Sequence, residues 1–305
     1  MKLILSRKGF DSSAGGCPSP VFPDGRFLAL PIPDQQSPVR YSDLEYDGIN
    51  VSELVADLTG DPDRKDQGAH LDPDLIPGLI GRKAGWRPSL GQINQAQGHL
   101  RNQGVSEGDL FLFFGLFRNV EYVDGRWRFD RQSAPYHALW GWLQVGEVCP
   151  VDAALGDRMP WVRDHPHFHR EPNPSNTLYI ARDHLDLASG RVTGQGAGVF
   201  PAMHDHFRLT AAGSRKVSDW HLPRFFYPSE GKPPLSQHRD PKRWQLDGDR
   251  CRLQCVPRGQ EFVVDMAYYP EATSWIETLV REQLARRSCQ TPGVSAARSS
   301  GTRGS

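Results

Sequence analysis

The chain has 305 residues, enough for one large domain or two modest ones with a substantial core. Its 36 lysines and arginines balance 36 aspartates and glutamates, so the net charge gives no sign of a nucleic-acid or membrane surface and any polyanion site must be local. The 30 glycines and 25 prolines predict a loop-rich α+β or mostly β protein, and five scattered cysteines without a CxxC pair argue against a disulfide scaffold or a cysteine zinc site.

The first predicted element is a short buried strand, KLIL, at residues 2–5. The start of the chain, MKLILSRKGF, has only four apolar residues before its polar run, too few for a signal peptide, and no later window approaches the roughly 20 apolar residues of a spanning helix. We therefore expect a cytoplasmic protein that makes no membrane contact.

The loop that follows, SRKGFDSSAGGCPSP at 6–20, has the composition of a cradle for an anion. A glycine-rich turn behind a strand can aim successive backbone amides at one point. The residues expected to bind the anion are Arg7, Lys8, Ser12, Ser13, Gly15 and Gly16. Asp11 is the carboxylate beside them and is our first candidate for an acid, base or nucleophile. Neither the P-loop spacing nor GxGxxG is present, and a proline-rigidified surface loop with solvated cations is the alternative.

Capping signals predict two helices in the next hundred residues. Asn50 and Glu53 frame VSELVADL, which Gly60 ends, and Ser89 and Gln92 frame GQINQAQGHLRNQ. Between them, residues 61–78 form a charged, turn-rich segment.

This turn-rich segment contains His70, Asp72 and Asp74 within five residues. Such a group can bind a divalent cation, but Pro73 favours a turn with an aspartate cap. No functional assignment is made for it.

Three strands dominate the middle of the chain. GDLFLFFGLF is a continuous apolar run, Asp124-Gly125 predicts a tight hairpin after it, and HALWGWLQVGEV is a long strand with two glycines that permit bending. Arg118 at the end of the first strand can hold a phosphate or a base edge. His137, which opens the paired strand, and Arg208, in the predicted strand FRLT, are assigned to the same binding role.

Histidines recur beyond residue 150, in HPHFH at 165–169 and HDH at 204–206. Extended residues two apart share a face, so each group can converge on one ion, and two histidines with a carboxylate suit zinc or non-haem iron. Pro166 breaks regular strand geometry, however, and neither spacing is a familiar metalloenzyme motif. We assign no metal ligand and leave the cofactor unknown, and we take His167 as a second candidate acid or base.

The last predicted helix spans about 272–287, and the Ser-, Gly-, Arg- and Thr-rich segment at 288–305 is expected to be disordered. We find no convincing linker, so residues 1–287 are interpreted as one domain. The predicted fold class is α+β, with a mixed, largely antiparallel β core and a few peripheral helices.

The order of several motifs resembles the third family of nucleotide modification associated domains over residues 1–285. The motifs are SRKGFDSSAGGCPSP, GWRPSLGQINQAQGHL, GDLFLFFGLFR, HALWGWLQVGEV, HPHFH, NTLYIA, FRLT and WHLP. This family is known mainly from genomic association with DNA base modification systems, so the resemblance implies a nucleotide or DNA base as ligand. Protein partners, reaction type and oligomeric state remain open.

A second resemblance covers residues 108–148, whose strand, hairpin and long strand are similar to the core of PUA-like barrels. Such a barrel implies a reader that binds a modified base without chemistry, with Trp140 and Trp142 as a stacking platform if they are exposed. The two hypotheses are therefore a nucleotide- or base-modifying transferase or hydrolase, and a non-catalytic PUA-like reader.

Overall fold

The computed structural model describes residues 1–187, 190–229, 231–257 and 259–290. Its helices are α1 (Val51–Thr59), α2 (Asn94–Asn102), α3 (Ala153–Arg158) and α4 (Glu271–Gln290). Its first nine strands are β1 (Lys2–Arg7), β2 (Ser19–Val21), β3 (Ile32–Pro33), β4 (Glu45–Tyr46), β5 (Ile49–Asn50), β6 (Ala69–His70), β7 (Ser89–Gln92), β8 (Leu110–Val123) and β9 (Arg126–Phe129). The other nine are β10 (Tyr136–Pro150), β11 (Thr177–Ala181), β12 (His184–Leu187), β13 (Gly190–Gln195), β14 (Ala197–Val199), β15 (Asp219–Pro223), β16 (Trp244–Asp247), β17 (Arg250–Gln254) and β18 (Glu261–Asp265).

One large sheet organises the protein, with the strand order β18-β1-β8-β10-β11-β7. The β1–β8 pair is parallel and the other neighbours along this path are antiparallel, while β2, β9 and β14 join at its sides. The α+β class with a mixed, mostly antiparallel core is therefore confirmed. The PUA-like barrel for the middle segment stays a prediction.

The central strands form where apolar residues run without interruption. β8 and β10 are buried over most of their length, which is why neither shows polar alternation. The turn between β8 and β9 has Asp124 and Gly125 at φ 54° and 76°, the left-handed conformation that the Asp-Gly hairpin signal predicts. The predicted strands and hairpin in this region are confirmed.

The first predicted helix is confirmed at both ends. The Asn50 side chain accepts hydrogen bonds from the amides of Ser52 and Glu53, and Gly60 ends α1 in the left-handed conformation at φ 67°. The side chain of Glu53 pairs with Lys65.

The second predicted helix is wrong at its beginning. Ser89 and Gln92 do not cap it; they bound β7, which pairs with β11, and α2 begins only at Asn94. All four β7 residues are buried, so a place in the sheet outweighs the local capping signal.

One later element also differs from expectation. FRLT at 207–210 is not a regular strand but makes isolated bridges through Arg208 and Thr210. The last helix is confirmed as α4, although it extends to Gln290. The disordered tail predicted for 288–305 lies outside the described residues from 291 onward, and the single-domain assignment stays a prediction. No helix within the described ranges is long and apolar enough to cross a membrane.

The two ends of the sheet path lie next to each other. The Gln92 side chain on β7 donates a hydrogen bond to Glu261 on β18, although these strands stand last and first in the order. The sheet is therefore curved enough to bring its opposite edges together. The cleft described next lies where those edges and the end of β1 meet.

Candidate active site

A cleft of about 420 Å³ opens beside the carboxyl end of β1. Its walls come from segments far apart in sequence: the loop after β1, the turn after β6, strand β7, the 166–169 turn and the residues before β18. The charged and titratable side chains lining it are Arg7, Lys8, Asp11, His70, Asp72 and His167.

Asp11 organises the loop after β1. Its Oδ1 accepts hydrogen bonds from the Ser13 amide, the Ser13 hydroxyl and the Ala14 amide, each at 2.7 Å, and its Oδ2 pairs with Arg7 Nη2 at 2.8 Å. Burial acts to raise the pKa of Asp11, but the hydrogen bonds from Ser13 and Ala14 and the charge of Arg7 lower it on balance. Asp11 is thus held as a carboxylate, and two amides of the predicted anion cradle already donate to it.

Two glycines give this loop its shape. Gly15 and Gly16 lie at φ 95° and 89°, a region that side chains rarely adopt. A Cβ on Gly15 would lie 2.4 Å from Phe10 Cγ, so this position also requires the absence of a side chain. Ser12 is a predicted donor to the anion, but its side chain is exposed. It makes no hydrogen bond to the described residues that would hold it at the cleft.

Lys8 lies between two buried carboxylates. Its Nζ is 3.5 Å from Glu261 Oε1, and its charge also acts on Asp72. Glu261 further accepts hydrogen bonds from Ser6 and Gln92, yet burial raises its pKa on balance. Lys8 therefore compensates buried negative charge as well as lining the cleft.

Asp72 is the centre of a histidine cluster. Its side chain is 4% exposed, and its Oδ2 lies 3.7 Å from His70 Nε2 and 3.8 Å from His167 Nε2. The other oxygen, Oδ1, accepts a hydrogen bond from the Gly91 amide at 2.6 Å and lies 3.4 Å from His165 Nε2. The ligand atoms of His70, Asp72 and His167 all lie within 4.8 Å of one another.

The imidazoles of His70 and His167 are both held through Nδ1, the ring nitrogen farther from Asp72. His70 Nδ1 lies 2.7 Å from the carboxylate of Asp34, which Arg170 also contacts at 2.9 Å. His167 Nδ1 lies 2.6 Å from Asn176 Oδ1, while Asn176 Nδ2 donates to the backbone oxygen of His167. Asp34 and Asn176 both present acceptor oxygens, which favours the tautomer protonated on Nδ1 and directs Nε2 at Asp72; Arg170 Nη2 also lies 3.3 Å from His70 Nδ1.

Burial and mutual contacts set the charge of this cluster. Burial lowers the pKa of His167 to about 4, partly opposed by the charge of Asp72. Burial would raise the pKa of Asp72, but contact with His165 and the charges of His167 and Lys8 hold it well below its usual range. The cluster therefore has a charged Asp72 carboxylate facing the neutral imidazole of His167 at neutral pH.

Other residues noted in the sequence lie elsewhere. Asp74 pairs with both terminal nitrogens of Arg82, and the ring of His169 bonds the backbone oxygen of Arg163. The rings of His204 and His206 lie parallel with their centroids 5.3 Å apart. Of the described residues, the group with metal-compatible spacing is thus drawn from the turn after β6 and from HPHFH.

The predicted binding residues Arg118, His137 and Arg208 are not among the described residues lining the cleft. Arg118 bonds the backbone oxygen of Asp130, and Arg208 lies 4.4 Å from the ring centre of Tyr136. His137 is buried and accepts a hydrogen bond from Trp220. Burial lowers the pKa of His137 to about 3, with a smaller effect from Arg7, so the charge of the loop after β1 does reach it.

From the sequence alone, Asp34, His70, Asp72 and Asn176 were not assigned to the site. The AHLDPDL pattern was the available signal for His70 and Asp72. Asp34 and Asn176 stand in loops of ordinary composition and carry no comparable signal.

A comparison with models of protein families matches residues 2–265 to nucleotide modification associated domain 3. The chain belongs to this family. The resemblance inferred from the motifs is thereby confirmed, and it covers the loop after β1, the histidine cluster and the whole sheet. No curated protein and no solved structure matches the chain. Membership of the nucleotide modification associated domain 3 family indicates a role connected with nucleotide modification.

Proposed function

We propose that the chain is an enzyme that binds a nucleotide, free or within DNA, in the cleft beside β1 and modifies it by hydrolysis or group transfer. The observation that carries this proposal is the meeting of Arg7 with the cluster of His70, Asp72 and His167 in one cleft. A cationic group and a set of lone-pair donors are what a phosphate-bearing substrate and its reaction require.

Arg7 is the group that we assign to the phosphate. Its side chain is about one quarter exposed, and its Nε is buried without a hydrogen-bond partner among the described residues. Asp11 fixes the orientation of this guanidinium through Oδ2. Because both Asp11 oxygens are already occupied, the contacts favour a positioning role for it, and its predicted role as acid, base or nucleophile remains untested.

The histidine cluster is the group that we assign to the chemistry. It is deep in the cleft, its carboxylate is charged, and two lone pairs are aimed at a common point. His167 thus keeps its predicted place in the reaction, with His70 and Asp72 beside it.

The alternative, a PUA-like reader, has no support from the aromatic residues assigned to it. Trp140 and Trp142 are each 5% exposed and belong to the main hydrophobic core. Buried rings cannot stack on a base without unpacking that core.

The test is binding and turnover with defined probes. An equimolar mixture of the four deoxynucleoside 5′-monophosphates and a synthetic DNA duplex are titrated separately by calorimetry, and each reaction mixture is then compared by mass spectrometry. We expect at least one probe to bind and to change mass. Arg7→Met should weaken binding roughly tenfold or more, about 1.4 kcal/mol.

Arg126→Met is the matched control, since Arg126 is an exposed arginine of the β9 hairpin. It should leave binding of the same probe unchanged. Equal losses in the two variants would refute the assignment of Arg7 to the phosphate. Binding with no mass change after addition of divalent metal ions would refute hydrolysis, the branch of the proposal that needs only water as second reactant.

A further inference from the structure

We propose that His70, Asp72 and His167 form a binding site for a divalent transition-metal ion such as Zn²⁺ or Fe²⁺. This inference rests on the proposed function and specifies its reactive centre. Two imidazoles and one carboxylate are an established ligand set for such ions, and three protein ligands leave positions open for water or substrate.

The orientation of the protons gives the first argument. The acceptor oxygens of Asp34 and Asn176 beside Nδ1 favour the Nδ1-protonated tautomer of both histidines, in which both Nε2 lone pairs face Asp72 Oδ2. Within the described ranges, neither Nε2 makes a hydrogen bond, and the three atoms that face one another all carry negative partial charge. A cation between them converts this repulsion into attraction.

Distance gives the second argument. An ion with bonds of about 2.1 Å holds its ligand atoms about 3 to 3.5 Å apart. Asp72 Oδ2 lies 3.7 and 3.8 Å from the two Nε2 atoms, and the three ligand atoms all lie within 4.8 Å of one another. Side-chain movements on the order of 1 Å or less therefore bring all three into range.

The surroundings give the third argument. Each histidine has a hydrogen-bond acceptor behind it, Asp34 for His70 and Asn176 for His167, as metal-binding histidines generally do. Asp72 is held through its other oxygen by the Gly91 amide, which leaves Oδ2 directed at the cluster. The site is therefore oriented in advance by residues that are not ligands.

His165 has a separate part in this arrangement. Its Nδ1 accepts from the His167 amide, so its proton is on Nε2, 3.4 Å from Asp72 Oδ1. We assign it to positioning of Asp72 and not to the metal.

The decisive experiment is a calorimetric titration of the full chain with Zn²⁺ alone after dialysis against a chelator, with the metal content checked by mass spectrometry. Zn²⁺ is the more sensitive probe because a given site binds it more tightly than Fe²⁺. We expect one equivalent per chain. His70→Ala and His167→Ala should each weaken binding at least 100-fold.

His169→Ala is the matched control, because His169 lies in the same turn but its ring bonds Arg163. Its affinity for Zn²⁺ should stay within twofold of the wild type. Asp34→Asn keeps all three ligands and should weaken binding 10- to 100-fold, which tests the site even if a ligand variant fails to fold.

The proposal is overturned if the wild type takes up no Zn²⁺, or if His70→Ala and Asp34→Asn bind it as tightly as His169→Ala does. Because no nucleotide is present, this failure is distinct from that of the proposed function. If the wild type binds mononucleotide but no Zn²⁺, only the metal site is rejected. If it binds Zn²⁺ but no mononucleotide, only the assignment of the cleft to a nucleotide is rejected.

Discussion

Gly91→Ala tests the packing of the site in a single methyl group. A Cβ built at Gly91 lies 2.3 Å from His167 Cδ2 and 2.5 Å from its Cγ and Nε2, whereas ordinary contact begins at 3.4 Å. The imidazole must therefore move by about 1 Å or the strand must give way. Overpacking of this kind lowers the free energy of unfolding by about 1–3 kcal/mol. Alanine also restricts the unfolded chain more than glycine does, which offsets up to about 1 kcal/mol of that loss.

The same displacement should reach the metal. Gly91→Ala retains the amide that donates to Asp72 Oδ1, so the expected change is confined to the position of His167. Metal sites tolerate departures of about 0.2 Å in bond length, and a shift five times larger should weaken Zn²⁺ binding tenfold or more. Urea unfolding measures the stability and calorimetry measures the affinity.

Gly98→Ala is the control for this experiment. Gly98 is in α2, nothing lies within 4 Å of a Cβ built there, and alanine in a helix should raise the free energy of unfolding by about 0.5–1 kcal/mol. If Gly91→Ala behaves like Gly98→Ala, gaining stability and keeping Zn²⁺ affinity, then His167 is not held where the argument requires it.

Three further outcomes concern stability. Asn50→Ala removes the cap of α1 and should lower the free energy of unfolding by about 1 kcal/mol in urea; an unchanged midpoint would contradict this. Lys8→Met leaves the buried Glu261 without its cation and should lower the free energy of unfolding more than the double variant Lys8→Met/Glu261→Met does. A double-mutant cycle measures both losses, and a larger loss in the double variant would contradict this. Burial lowers the pKa of His238 to about 4, so the unfolded chain binds its proton first as pH falls below 6.5. On the order of 3 kcal/mol of the free energy of unfolding should therefore be lost between pH 6.5 and 4. If His238→Gln shows the same dependence of stability on pH as the wild type, this prediction is contradicted.

The sequence predicts well those elements that are determined by residues within the element itself. Asn50 and Gly60 determine α1 through contacts within a few residues, and Asp124-Gly125 determines the hairpin through its own dihedral angles. Ser89 and Gln92 have an equally good capping pattern, yet they lie in β7 because β11 supplies hydrogen bonds and the core buries them. That partner is about 90 residues away, and no pattern near Ser89 indicates it.

The site shows the same limit. The sequence separately indicated AHLDPDL as a segment that can bind a divalent cation and HPHFH as a histidine-rich segment, and two histidines with a carboxylate form a ligand set that suits a metal ion. It paired histidines within one segment, however, because alternation along a strand was the available rule. His165 and His167 in fact lie beside Asp72, which comes from a distant segment and is held by the Gly91 amide of β7.

The curvature of the sheet explains why these groups meet. β7 and β18 are the two ends of the strand path, and the hydrogen bond from Gln92 to Glu261 shows that they lie side by side. Gly91 of β7 then holds Asp72, and Glu261 of β18 holds Lys8, whose charge acts on the same Asp72. The pairing of strands alone would place these residues at opposite edges, so the contact between the edges creates the site. Disrupting the contact between Gln92 and Glu261 should separate Lys8 from the histidine cluster, even where His70, Asp72 and His167 are all retained.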